Sequence, residues 1–174
     1  MSIDTSLFYK VNHLVHNKVT DAVAIFIHYV TYNVLIFLVP ICFLFFSENP
    51  AKKLFAKQLL LAMILAGVIN DFILQPFFRR ARPFSVLENV VTLGKLPSEY
   101  SFPSGHTAVA FAFASVYFLV MPKGFASYGI VLFASVVAFG RIYMGFHYPM
   151  DVIAGVIVGV VCAFLSIAIL KSLT

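Results

Sequence analysis

Five long apolar segments, at about 22–46, 54–77, 105–121, 125–140 and 150–170, occupy most of this chain of 174 residues. A helix rises 1.5 Å per residue, so about 20 apolar residues cross a hydrocarbon core of roughly 30 Å. The first, second and fifth segments reach that length, and the third and fourth are shorter. The fold class this predicts is all-α: a polytopic transmembrane bundle of about five spanning helices. Residues 3–18 place Leu7, Val11, Leu14 and Val15 at helical spacing, apart from Lys10, His13 and Asn17. They read as a short amphipathic helix lying at the membrane interface. Asn33 and Pro40 mark the first segment as one that kinks or splits.

Composition supports lipid as the solvent. Charged residues make up 11% of the chain, against about 25% in a soluble domain. Mean hydropathy is +0.98. The length fits one membrane-embedded domain over 1–174, with no separate soluble module. A formal net charge of +5 would suit nucleic acid, but the basic residues lie in short segments between apolar runs, as in loops at a membrane surface. No nucleic-acid partner is expected. Cys42 and Cys162 sit in apolar segments and read as small packing hydrophobes. Asp4 and Asp21 break the basic stretch a cleaved signal would carry, so the N-terminus reads as a retained anchor. Gly155 and Gly159 form a GxxxG, the signature of a close helix–helix contact.

Five crossings put the N-terminus, the Pro/Arg/Ser-rich loop 78–104 and the connection 141–149 on one membrane face. Three polar clusters meet there. Arg79-Arg80-Ala81-Arg82-Pro83 ends the second segment, and Pro103-Ser104-Gly105-His106-Thr107 starts the third. Arg141, His147 and Asp151, spaced R-x5-H-x3-D, lead into the fifth. Charged groups are costly at membrane depth and are kept mainly where they work or pair.

Each cluster has chemistry available to it. Pro103 suits a first helical turn, where the N–H groups of Ser104 and Gly105 would form an anion site at the positive end of the helix. Gly105 lets an anion approach the backbone closely. Arg82 and Arg141 offer charged forks that match phosphate oxygens. His147, with Asp151 accepting from one ring nitrogen, has the other nitrogen free to attack phosphorus. His106, beside the bound anion, would protonate the leaving oxygen and later activate water. Asp71, inside the second segment beside Asn70, reads as pairing with Arg79 or another site arginine. His13, His16 and His28 read as structural or interfacial, Tyr143 and Tyr148 as interface aromatics. Arg80 and Lys95 read as headgroup anchors.

These motifs resemble those of the type 2 phosphatidic acid phosphatase superfamily of membrane lipid phosphatases: K-x6-R-P, P-S-G-H and S-R-x5-H-x3-D, in that order. The second is complete at 103–106, and the third matches from Arg141 to Asp151. The resemblance implies a phosphohistidine at His147 oriented by Asp151, His106 as general acid, and phosphate held by Arg82, Ser104, Gly105 and Arg141. It also implies catalysis with no cofactor and no metal, on a membrane lipid phosphate or diphosphate. Undecaprenyl diphosphate is the favoured substrate, ahead of lipid A (as a 1-phosphatase) and phosphatidylglycerophosphate. A protein that binds lipid phosphate without turnover is the reading from another class.

The chain departs from the motifs at Gln75, where the family has lysine, and at Gly140, where it has serine. Arg79, one turn beyond Gln75, is the expected replacement charge, so Arg79→Ala should cost more activity than Gln75→Ala. Loop lysines and arginines divide too evenly to orient the chain. The family's small bacterial members point to an inner (cytoplasmic) membrane location with the site facing the periplasm. The sequence sets no oligomeric state.

Overall fold

The apolar runs fold as helices throughout the residues described by the computed structural model, 1–32 and 35–173. Helix α1 (Ile3–Asn12) starts at Ser2, whose hydroxyl accepts the Thr5 N–H. It is followed by α2 (Lys18–Tyr32) and α3 (Leu35–Phe45), with axes 41° apart. Pro40 lies within α3, whereas Asn33 lies outside the described residues. Helix α4 (Pro50–Val68) opens with Asn49 accepting the Ala51 N–H and Pro50 in the first turn, where an N–H would lack a partner anyway. It runs through a π-helical segment (Ile69–Leu74) into α5 (Gln75–Phe78). A single turn, α6 (Pro83–Val86), follows. The rest is α7 (Gly105–Val120), α8 (Phe125–Tyr143) and α9 (Pro149–Ser172).

Helix α7 is central, packed by α4, α8 and α9. Small side chains permit this: Ala108, Ala110, Ala112 and Ala114 are all buried. The GxxxG reading holds. A Cβ on Gly159 would meet the Ala108 carbonyl oxygen at 2.4 Å, and one on Gly155 the Ser104 carbonyl oxygen at 2.7 Å. The outer surface is apolar, with Phe43, Phe46, Phe72, Phe77 and Phe125 exposed, as expected of helices that face lipid. By length and composition α4 with its continuation to Val86, α8 and α9 can each cross a membrane, and α2 with α3 adds a fourth crossing where that bent pair is one span. Helix α7, at 16 residues, is about 24 Å long and begins at the polar cluster.

Three local expectations change. Helix α7 begins at Gly105 with Ser104 as its N-cap, so Pro103 precedes the helix instead of opening it. Helix α8 continues to Tyr143, past the expected 140. Helix α1 stops at Asn12 and is bound to the bundle. Asn12 is fully buried and donates to the carbonyls of Val91 and Tyr143 at 2.8 and 3.0 Å while accepting the Val91 N–H.

Candidate active site

The three polar clusters converge at the N-terminal ends of α7 and α9. The chain reaches His147 by a tight turn off α8, in which the N–H groups of Phe146 and His147 both donate to the Arg141 carbonyl. Gly145, at φ +78°, makes that turn in a conformation side chains disfavour. A Cβ there would also lie 2.5 Å from the Val91 carbonyl oxygen. Arg82 precedes α6, after α5 has ended at Arg79 in the left-handed region (φ +48°).

His147 is 2% exposed. Its Nδ1 lies 2.7 Å from the carbonyl oxygen of Ser101. A carbonyl only accepts, so Nδ1 carries the proton and Nε2 holds the lone pair. Arg82 Nη1 donates to Nε2 at 3.0 Å and to the Phe146 carbonyl, while Arg82 Nε donates to the Glu99 carbonyl. Burial pushes the His147 imidazole down to about 4, with Asp151 pulling the other way. It is therefore neutral at physiological pH, the state a nucleophile requires.

Asp151 was expected to accept directly from His147. It lies 3.8 Å from Nδ1, and the Ser101 carbonyl takes the closer hydrogen bond. Asp151 Oδ2 instead accepts the Ser101 hydroxyl at 2.5 Å and the Tyr148 N–H at 2.9 Å, and Oδ1 accepts Arg80 Nη1 at 2.6 Å. The carboxylate thus fixes the peptide that fixes the histidine.

A cavity of about 460 Å³ opens in front of Nε2. Gln75, Arg82, Gly105, His106, Arg141 and His147 all border it, so six of the nine expected site residues meet at one volume. His28, Asp71 and Lys95 border it too. Arg141, 3% exposed, donates Nη1 to His28 Nδ1 at 2.7 Å, and its Nε has no hydrogen-bond partner among the described residues. The His28 ring centroid lies 5.6 Å from that of His106. Two guanidiniums, three imidazoles and the first turn of α7 therefore face one space, an arrangement suited to a phosphoryl dianion.

Other expectations need correction. The Ser104 N–H is not free for an anion, because it donates to the Asp151 carbonyl at 3.0 Å. The Ser104 hydroxyl accepts from Thr107. Gly105 is required by packing as well, since a Cβ would meet Asn70 Nδ2 at 3.0 Å. Arg79 does not bring its charge to the cavity: it is exposed and donates to the Pro76 carbonyl. Gln75 does reach the site, donating to the Pro103 carbonyl at 3.2 Å. Among the described residues Asp71 pairs with neither Arg79 nor any other site arginine; its Oδ1 accepts from Asn70. Tyr143 and Tyr148 are buried packing residues, not interface aromatics, and the Tyr143 hydroxyl donates to Asp21. Arg80 is bound to Asp151, so it is no headgroup anchor.

Ser101, Arg80, Asp4 and His28 were missed as site residues. Arg80 stood in the first cluster and carried a signal of its own, a third arginine within four positions. Ser101, Asp4 and His28 carried none, because their partners are 46 or more residues away.

Residues 55–174 match the PAP2 superfamily. The chain belongs to the PAP2 superfamily. It is 34% identical over 106 residues to an undecaprenyl-diphosphatase of Sulfolobus acidocaldarius, covering 61% of this chain and 49% of that protein. It is 29% identical over 152 residues to the undecaprenyl-diphosphatase BcrC of Bacillus subtilis, covering 86% and 75%. It thus spans about half the length of the first relative and three quarters of the second. The crystal structure of Aquifex aeolicus LpxE superposes with a TM-score of 0.82 at 31% identity, over 97% of this chain and 96% of that one. Family, helical architecture and apolar exterior together make this a multi-pass membrane protein.

Proposed function

We propose that this chain is a membrane lipid phosphatase that removes the terminal phosphate of a lipid phosphate or diphosphate, with undecaprenyl diphosphate as the favoured substrate. The observation that carries the reading is the state of His147: its proton is held on Nδ1 by the Ser101 carbonyl, and its Nε2 lone pair borders a cationic cavity. In this scheme Nε2 attacks the terminal phosphorus and its bond to the leaving oxygen breaks, the bridging oxygen of a diphosphate or the lipid oxygen of a monophosphate. His106 gives its proton to that oxygen. Water then loses a proton to His106 and attacks the phosphohistidine, the P–N bond breaks, and inorganic phosphate leaves. Arg82, Arg141, the Gly105 N–H and Gln75 hold the phosphoryl oxygens throughout. No cofactor or metal enters the scheme.

Two relatives named undecaprenyl-diphosphatase support the substrate choice. The whole of 1–174 is taken as one unit, because α1 and α2 contribute to the same site as the family-matched part. We place the protein in a bacterial inner membrane with the cavity facing the periplasm. Purified protein in detergent, offered undecaprenyl diphosphate, lipid A and phosphatidylglycerophosphate, should release phosphate fastest from the first. A faster rate on either rival reassigns the lipid. No release from any of them, or full activity in His147→Ala, rejects the phosphatase reading in favour of a lipid-phosphate-binding protein.

A further inference from the structure

Asp151 is fully buried, and a buried carboxylate needs a paired charge as well as hydrogen bonds. The Ser101 hydroxyl and Tyr148 N–H supply the hydrogen bonds. Arg80 supplies the charge at 2.6 Å. The other arm of the same guanidinium, Nη2, is held 2.6 Å from Asp4 Oδ2, on α1. Asp4 Oδ1 in turn accepts the N–H of Met150 at 3.0 Å, a first-turn donor of α9 that has no partner within its own helix. The guanidinium also lies 3.9 Å from the centroid of the Tyr148 ring, and that ring packs on Phe8 of α1 at 5.6 Å. Arg80 is thus fixed on three sides. It does not border the cavity.

We propose that Arg80 is a positioning residue for the reaction, and that Asp4 on the amino-terminal helix holds it in place. The proposal rests on the phosphatase reading. Arg80 acts through Asp151. Its charge keeps the carboxylate in place as an acceptor, the carboxylate fixes Ser101, and the Ser101 carbonyl aims His147. Without Arg80 a buried charge is left uncompensated, and Ser101 and the turn at Tyr148 lose a fixed acceptor. Among the described residues no hydrogen bond joins Arg82 or Arg141 to Arg80, Asp151 or Ser101; Arg82 meets this chain of contacts only at His147, so kcat should fall while KM holds. Helix α1, which lies outside the family-matched residues 55–174, is on this reading part of the catalytic apparatus and not merely a membrane anchor.

The test compares Arg80→Ala, Arg80→Lys, Asp4→Asn and the double variant Arg80→Ala/Asp4→Asn in detergent-solubilised full-length protein, on the lipid phosphate that wild type hydrolyses. Arg80→Ala should lower kcat about 10- to 100-fold, the scale of loss when the outer partners that orient metal-ligating side chains are removed. Its KM should stay within about twofold of wild type. Arg80→Lys, which restores a charge beside Asp151, should recover most of the lost kcat. Asp4→Asn should have a smaller effect, and none when added to Arg80→Ala, because Asp4 works through the arginine. Wild-type kcat in Arg80→Ala, a change in KM alone, or additive losses in the double variant would overturn the proposal. If thermal unfolding shows that Arg80→Ala does not fold, the near-isosteric Asp4→Asn decides by its kcat. A wild-type protein with no turnover sinks the phosphatase reading instead; turnover that is indifferent to Arg80 sinks only this one.

Discussion

Replacing Gly155 by alanine would place a methyl carbon 2.7 Å from the Ser104 carbonyl oxygen and 3.0 Å from Thr107 Cβ. The first of these is backbone at the N-cap of α7, which cannot swing aside as a long side chain can. Restoring ordinary contact requires α7 and α9 to part by roughly 0.7 Å at this level. Such overpacking costs about 1–3 kcal/mol of stability. The larger effect should be on turnover, because α7 carries His106 at the cavity and α9 carries Asp151, which fixes the Ser101 peptide that holds His147. A misplacement of about 1 Å can cost on the order of 100-fold in rate, so Gly155→Ala should lose roughly tenfold or more in kcat. Gly129→Ala on α8 is the control, since a Cβ there meets nothing within 4 Å. Phosphate release and thermal unfolding in the same detergent measure both quantities. Equal activity and equal unfolding temperature for Gly155→Ala and Gly129→Ala would refute the reasoning.

Four further outcomes follow from the structure. His147 is held down at about 4 by burial, so it is competent above that pH and lost as pH falls through it. The acid limb of phosphoenzyme formation should lie near pH 4, and a limb near 6.5 in rapid-quench measurements would contradict the buried geometry. The same depressed imidazole makes the unfolded chain bind more protons between about pH 4 and 6.5, so the contribution of His147 to stability should rise with pH across that window, as read by unfolding temperature. Gln75→Ala should reduce activity several-fold while Arg79→Ala stays near wild type, the reverse of the ranking read from the sequence; steady-state phosphate release separates them. Asn12→Ala strands three hydrogen-bond partners on Val91 and Tyr143 and should destabilise the protein by about 2–3 kcal/mol in thermal or denaturant unfolding.

Much of this molecule was legible in the chain because its signals are local. Apolar length marks a helix that must cross lipid, and R-x5-H-x3-D places three groups within eleven residues. The GxxxG reading held for the same reason, since spacing within one helix puts both glycines on one face. What failed depended on rotation and reach. Arg79, Arg80 and Arg82 are nearly interchangeable on paper. The left-handed conformation at Arg79 turns its side chain toward Pro76, and the next two arginines go to Asp151 and His147. The free N–H assigned to Ser104 was lost to a carbonyl on another helix. Asp4 and His28 sit in stretches that looked like anchor and membrane span, and only tertiary folding brings His28 to the cavity and Asp4 to Arg80.

Arg82 touches His147 through the nitrogen that would attack phosphorus. The same guanidinium is a charge toward which an arriving phosphate would be drawn. It therefore has two successive partners: the imidazole lone pair first, then the phosphoryl oxygens. The consequence is chemical discrimination without any selectivity in the histidine itself. An anion draws the guanidinium to itself and leaves the nitrogen bare at the moment it is needed. A neutral electrophile dissolved in the surrounding lipid offers Arg82 no such alternative, and meets a nitrogen whose electron pair is already engaged.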